Sequence, residues 1–349
     1  MPFRIAIVND LAMAREALRR VVLQIPGTAV AWTANDGADA LAKAKADRPD
    51  LVLMDLIMPV MDGVESTRRI MREAPCPIVV VTATVEGNAS RVYEAIGAGA
   101  LDAVDTPQLG ASGARGAQAL VAKVDSVRRM SDEERTPVAK PAAATPAARP
   151  AAHAGPCGLV AVGASTGGPQ ALATFLQALP AEPASAVLVV QHMEPTFLPG
   201  LAQWLASQTG RDVRLAARGD RPVPGRVLIA GEARQMHLSA EGAIDYVEGD
   251  PRAIHRPSVD ALFLSLAGAP CAAGVAVLLT GMGRDGAAGM LALRQAGWRT
   301  LAQDKDSSVV WGMPGAAHAM GAAERTLPLG DLGAAAGDAL AALRGGGRR

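Results

Sequence analysis

At 349 residues, half of them apolar, the chain is long enough for about two domains, each with its own core. Thirty-four basic and 34 acidic residues cancel, which excludes the basic footprint of a nucleic-acid binder or of a protein drawn to anionic membranes. No apolar run is long enough to span a membrane, no signal-peptide pattern opens the chain, and Cys76, Cys157 and Cys271 show neither disulfide nor metal spacing, so a cytoplasmic protein with no membrane insertion is expected.

Within residues 1–130, apolar runs of strand length recur at Ile5–Val8, Ala29–Thr33, Leu51–Met54, Ile78–Val81 and Leu101–Val104. Segments with helical spacing, such as Met13–Leu23, Ala38–Ala46 and Ala89–Ile96, alternate with them. This alternation predicts a parallel sheet with helices on both faces, whose chemistry gathers at the carboxyl ends of the strands. Asn9 and Asp10 follow the first run, Asp55 the third (in LMDLIMPVMDG), Thr82 the fourth, and Asp105 and Thr106 the fifth. Two carboxylates and a hydroxyl on one edge suit a hard divalent cation, and Mg²⁺ keeps coordination positions for phosphate oxygens. Asp10 and Asp55 are the candidate metal ligands. Asp55, beside the ion, is placed to attack a phosphoryl group and form an acyl phosphate. Either aspartate alone also fits a strand-end turn; the pair, followed by Met58-Pro59 and Met61-Asp62-Gly63, favours chemistry.

VND near the N-terminus, LMDLIMPVMDG, VVVTA and GALDAVDTP together resemble a response-regulator receiver domain, over residues 3–128. The resemblance implies a five-stranded flavodoxin-like fold, phosphorylation of Asp55 by a histidine kinase with Mg²⁺, and switch positions at Thr82 and Thr106. Two positions depart from the pattern. Receivers carry two acids where Asn9-Asp10 stands, and a Lys where Thr106 precedes Pro107.

Within residues 131–156 the stretch TPVAKPAAATPAARPAAHAGP is mostly Ala and Pro. Spaced prolines prevent a continuous helix and no apolar face is present, which predicts a semi-rigid tether, roughly 60 Å at full extension. His153 is expected to be exposed and inert.

In residues 157–349, strand-like runs recur at Leu159–Val162, Ala186–Gln191, Arg226–Ala230, Ala243–Val247, Gly274–Thr280 and Arg299–Ala302. Helical segments such as Gln170–Leu179 and Leu198–Ser207 alternate with several of them, which predicts a second doubly wound, mostly parallel α/β sheet. The first run breaks at Gly163-Ala164-Ser165-Thr166-Gly167-Gly168, and a helix opens with Pro169 in its first turn. Such a strand–turn–helix sets Ser165 at the tip of a sharp turn beside backbone N–H groups, as an attacking serine needs. A plain serine cap would look the same. His192 follows AVLVVQ, and Asp285 follows VAVLLT in GMGRDG. Nucleophile, base and orienting acid thus all fall at strand ends. His192 also fits a strand-end histidine satisfied by backbone, and Asp285 a helix cap. His237, His255 and His318 follow no buried strand.

GASTGGPQAL, QHM, HRPSVDALF, LLTGMGRDGAAGM and AQDKDSSVVWGMP resemble the catalytic domain of the CheB family of chemotaxis protein-glutamate methylesterases. The resemblance implies Ser165 as nucleophile, His192 as base and Asp285 as its partner, with backbone N–H groups of Thr166 and Met282 at the oxyanion. It implies hydrolysis of glutamate γ-methyl esters on receptor cytoplasmic helices, no cofactor for the esterase, deamidation of receptor glutamine as a second activity, and a CheA-like kinase acting on Asp55. The unphosphorylated receiver would then cover the Ser165 site. The Asn9-Asp10 and DAVDTP variants are closer to the Wsp-type (WspF-like) methylesterases of surface-sensing systems.

Three other readings fit parts of the chain. Gly281-x-Gly283-x-x-Gly286 with Asp304 about twenty residues on matches a dinucleotide-binding turn, although Asp285 would put a negative charge inside it. Ser165, Asp285 and His318 follow the chain order of an α/β-hydrolase. A non-enzymatic, receptor-binding second domain is the third.

Overall fold

The computed structural model describes residues 2–82, 89–107, 114–133, 158–181, 185–193, 195–248, 255–269 and 271–346. The chain divides into two compact units, Met1–Pro137 and Val138–Arg349. The tether expected at 131–156 lies outside the described residues from 134 onward.

The first unit runs β1 (Phe3–Val8), α1 (Ala12–Gln24), β2 (Thr28–Ala34), α2 (Gly37–Ala46), β3 (Leu51–Met54), α3 (Gly63–Glu73), β4 (Ile78–Thr82), α4 (Ala89–Gly97), β5 (Asp102–Asp105) and α5 (Ala114–Glu133). Its five strands lie in the order β2-β1-β3-β4-β5, all parallel. Strands covered on both faces read as continuous apolar runs, which is why β1, β3 and β4 stand out in the sequence. Ile5, Ile7, Leu53 and Val81 pack with Leu18 of α1 and Leu120 of α5 in one core. Asp36 and Asp62 start α2 and α3 by accepting backbone N–H groups with their side chains. α5 continues to Glu133, past the domain edge expected at 130. Strand order reverses at β1, so a crevice opens beyond the carboxyl ends of β1 and β3, where Asp10 and Asp55 stand.

The second unit runs β6 (Leu159–Ala164), α6 (Gly168–Ala178), β7 (Ala186–Gln191), a 3-10 turn at Pro195–Phe197, α7 (Leu198–Thr209), β8 (Asp212–Ala216), β9 (Arg226–Ala230), β10 (Gln235–Leu238), β11 (Ile244–Val247), α8 (Val259–Gly268), β12 (Val275–Leu278), α9 (Ala287–Gln295), β13 (Arg299–Gln303), α10 (Met313–Ala319), β14 (Arg325–Leu327) and α11 (Leu329–Gly346). Seven strands form an all-parallel sheet, β14-β13-β12-β6-β7-β9-β8. The run at 243–247 does not join it. As β11 it pairs antiparallel with β10 in a separate hairpin. Its alternation explains this: Ile244 and Tyr246 are buried, whereas Asp245 and Val247 face outward, as in a sheet with one covered face. One core joins Leu188, Leu228, Met236, Phe263, Leu278 and Met290. Strand order switches at β6, which has β7 on one side and β12 on the other.

Candidate active site

Ser165 comes directly after β6, and its backbone N–H donates to the Thr280 carbonyl (3.1 Å), tying it to the end of β12. Its carbonyl accepts from the Gly168 N–H (2.7 Å) and closes a tight turn. Gly167 caps α6 in the left-handed region (φ 75°), and a Cβ there would lie 2.7 Å from Val309. Thr280 fastens the turn from below: its hydroxyl donates to the Thr166 carbonyl (3.0 Å) and accepts from the Val310 N–H (2.9 Å). Thr166 and Met282 are partly exposed on the same edge.

His192 comes directly after β7, and its Nε2 lies 2.7 Å from Asp285 Oδ2, with both side chains less than 10% exposed (8% and 9%). The other ring nitrogen, Nδ1, is buried without a hydrogen-bond partner among the described residues. Since Nε2 is held by the carboxylate, Nδ1 is the nitrogen left to accept a proton.

Asp285 receives far more than His192. Its carboxylate accepts the N–H groups of Val259 (2.7 Å), Asp260 (3.0 Å) and Gly286 (3.1 Å), and the hydroxyl of Ser258 (2.8 Å). It therefore sits on the first turn of α8, where unpaired N–H groups and the helix dipole favour negative charge. Burial alone would push the carboxyl up. The bond and charge of His192, the Asp260 N–H and the Ser258 hydroxyl hold it well below the usual carboxylate range. Asp260, on α8, reciprocates by accepting the Gly289 N–H of α9 (2.6 Å). Burial raises its carboxyl against the pull of that N–H.

His255 stacks flat on His192, ring centroids 4.0 Å apart and planes 7° from parallel. Burial lowers its affinity for a proton, the neighbouring His192 lowers it further, and Asp285 opposes both. Gln235 anchors this segment, donating to the His255 carbonyl (3.0 Å) and accepting from the Ser258 N–H (2.7 Å).

The structure thus brings Ser165, His192 and Asp285 to one strand edge. Of the competing residues, His255 joins the site by stacking on His192, and the others lie elsewhere. His237 lies within β10, and exposed His318 contacts Thr326 (3.0 Å). Asp304 accepts from the backbone and side chain of Ser307 rather than facing the Gly281–Gly286 turn, whose Asp285 is committed to His192 and α8. Sequence pattern alone does not mark Gln191, Gln235, His255, Ser258, Asp260 or Thr280 as site residues. The one available signal is that Gln191, His255, Ser258, Asp260 and Thr280 fall inside the motifs QHM, HRPSVDALF and LLTGM; Gln235 falls in none of them.

In the first unit Asn9 Nδ2 donates to Asp55 Oδ2 (2.8 Å), and the Leu56 N–H donates to Asp55 Oδ1 (2.7 Å). Burial pushes the Asp55 carboxyl up to about 6, against the N–H groups of Leu56 and Ile57 and with the aid of the Asp10 charge. Thr82 is buried, and its carbonyl accepts from the Thr106 N–H (2.8 Å). Among the described residues no three His, Cys, Asp or Glu side chains converge on a metal site. The donor set still fits Mg²⁺, which binds through one or two carboxylates and keeps several waters. A cation between Asp10 and Asp55 would offset the burial that raises Asp55 and the smaller repulsion from Asp10. No helix among the described residues is long and apolar enough to cross a membrane.

Comparison with known proteins gives the same division. The response regulator receiver domain model matches residues 5–109, and the CheB methylesterase model matches residues 160–336. The chain is 48% identical over 331 residues to protein-glutamate methylesterase/protein-glutamine glutaminase 1 of Burkholderia lata, covering 94% of this chain and 96% of that one. It is 49% identical over 327 residues to the protein-glutamate methylesterase/protein-glutamine glutaminase of group 3 operon of Pseudomonas putida, covering 93% and 96%. The crystal structure of the Thermotoga maritima CheB methylesterase catalytic domain is similar at 33% identity and TM-score 0.50, over 52% of this chain and 98% of that one. The chain, which carries Ser165, His192 and Asp285 at strand ends and matches these relatives nearly end to end, belongs to the CheB methylesterase family.

Proposed function

We propose that the chain is a phosphorylation-regulated protein-glutamate methylesterase that acts on methyl-accepting receptor helices. The 2.7 Å bond between His192 and Asp285, on the edge that also bears Ser165, carries this reading. Ser165 Oγ attacks the γ-carbonyl carbon of the ester while His192 Nδ1 takes its proton. Asp285 fixes the tautomer through Nε2 and stabilises the imidazolium. Backbone N–H groups of Thr166 and Met282 receive the developing oxyanion. The tetrahedral adduct expels methanol, protonated by His192. Water, deprotonated by the same imidazole, then attacks the acyl-enzyme and frees the glutamate carboxylate and Ser165. A receptor glutamine takes the same route with ammonia leaving, which supports the second activity carried in the relatives' names.

Asp55 is the phosphoacceptor for a CheA-like kinase, and Asp10 and Asp55 would hold Mg²⁺. The ion supplies charge neutralisation as the phosphoryl group transfers. Asn9 adds an amide donor where receivers carry a second acid, and Thr106 stands where they carry Lys. These variants support the Wsp-type subclass. Free thiols at Cys76 and Cys271 agree with a reducing cytoplasm, where receptor helices and kinase are found.

The test is methanol release from a methylated receptor cytoplasmic fragment by the full chain and by Ser165→Ala, with and without acetyl phosphate and Mg²⁺. Release that acetyl phosphate raises and Ser165→Ala abolishes supports the reading. Methanol release unaffected by Ser165→Ala overturns it.

A further inference from the structure

We infer that Gln191, the last residue of β7, is a positioning residue that holds the nucleophile and base segments at a fixed spacing, an inference that rests on the roles proposed for Ser165 and His192. Its Nε2 donates to the Ser165 carbonyl (2.8 Å) and to the His192 carbonyl (3.1 Å). One amide nitrogen thus commits both of its protons to the two residues that the chemistry must align. The β6–β7 ladder cannot do this alone. It ends at the pair Ala164 and Gln191, with the His192 N–H bonded to the Ala164 carbonyl (3.0 Å), and the reacting side chains lie one residue beyond. Gln191 carries the link across that last step.

The other end of the amide argues that this link is functional. Gln191 is 1% exposed, and its Oε1 is buried without a hydrogen-bond partner among the described residues. A buried, unpaired amide oxygen loses its hydration and regains nothing, so this end of the side chain costs stability that an apolar group there would not, and only the two bonds from Nε2 offset it. The reverse orientation of the amide would set oxygen against two carbonyls, so the donors dictate the arrangement. Gly168 makes room for it, because a Cβ there would lie 2.0 Å from Oε1.

The experiment compares the full chain with Gln191→Met and Gly168→Ala. Three quantities are read: phosphonylation of Ser165 by a small alkyl fluorophosphonate, which forms an Oγ–P bond and releases fluoride; kcat and KM for methanol release; and the urea midpoint. Gln191→Met is expected to slow phosphonylation and kcat roughly ten- to hundredfold, since small misplacements carry such penalties. KM stays unchanged because the side chain is sealed from substrate, and the urea midpoint falls by far less than the rates, since Met leaves two carbonyls without the amide's protons but also removes the unpaired oxygen. Gly168→Ala shifts the amide from the opposite side and slows both rates, at a helix start that tolerates Ala. Parent-like phosphonylation in Gln191→Met overturns the inference, as does activity that falls only in step with a lowered urea midpoint. If the parent chain itself is not phosphonylated at Ser165, the nucleophile assignment fails first, and this inference with it.

Discussion

Both units are parallel sheets with an aspartate near the point where strand order reverses, yet the two treat their carboxylates in opposite ways. Asp55 is partly buried, and its carboxyl is pushed up to about 6 by that burial, against two backbone N–H groups and with Asp10 nearby. Asp285 is more deeply buried, and its carboxyl is held well below the usual range by His192, Ser258 and the α8 backbone. Burial therefore does not set the charge state; the number of donors aimed at the carboxylate does. The receiver edge leaves Asp55 under-satisfied, in need of a cation and a phosphoryl group. The esterase edge surrounds Asp285 with donors, which suits the role proposed for it, orienting a base without bond-making of its own.

Five substitutions and one treatment test this contrast. Ser165→Ala is expected to remove methanol release almost entirely, by about 10⁴-fold or more, with an unchanged urea midpoint. Asp285→Asn should lower kcat by about 10⁴-fold through loss of the correct tautomer. It should also be less stable at pH 7. Because the folded-state value lies below the unfolded 3.8, this stabilisation is in full above about pH 4 and fades as the pH falls. Urea midpoints of chain and variant should therefore converge in acid. A gap that stays constant from pH 7 to pH 3 would break the contrast at the esterase edge.

Asp55→Asn has the opposite sign. A carboxyl raised from 3.8 to about 6 contributes its stability below pH 3.8 and loses it as the pH rises through 6. The variant should be more stable than the chain at pH 8, by about 1–2 kcal/mol after allowance for solvent screening, and no more stable at pH 3.5. It should also lose the response to acetyl phosphate. Chelation of Mg²⁺ should abolish that response and leave basal methanol release unchanged, which separates the two edges by their need for a metal. The smallest effect concerns His255. His255→Phe keeps a flat ring on His192 and should hold kcat within about threefold, whereas His255→Ala uncovers the ring face and should cost about tenfold.

Strand ends are the legible part of this sequence. Buried parallel strands read as apolar runs, and the residues just past their carboxyl ends include Asp55, Ser165, His192 and Asp285, so these four can be named without any geometry. β8 and β14 are not legible in this way, because they are half-exposed edge strands without an apolar run. The 243–247 run reads as one more strand of the main sheet, yet it forms a hairpin, because a strand's length says nothing of its partner. The supporting residues are hidden for another reason. Gln191, Ser258 and Thr280 act through contacts spanning 26, 27 and 114 positions, which no local pattern records. Asp260 looks like a first-turn acid of its own helix, and nothing local shows that it serves α9 instead.

That exchange has a mechanical consequence. Asp285, just ahead of α9, seats the start of α8, while Asp260, at the start of α8, seats α9. The two helices interlock through crossed acids, and one of those acids also holds the His192 imidazole. A proton that reaches Asp285 therefore releases α8 in the same event that disarms His192. Amide hydrogen exchange at Val259 and Asp260 should accelerate at constant pH in Asp285→Asn, the substitution that also lowers kcat.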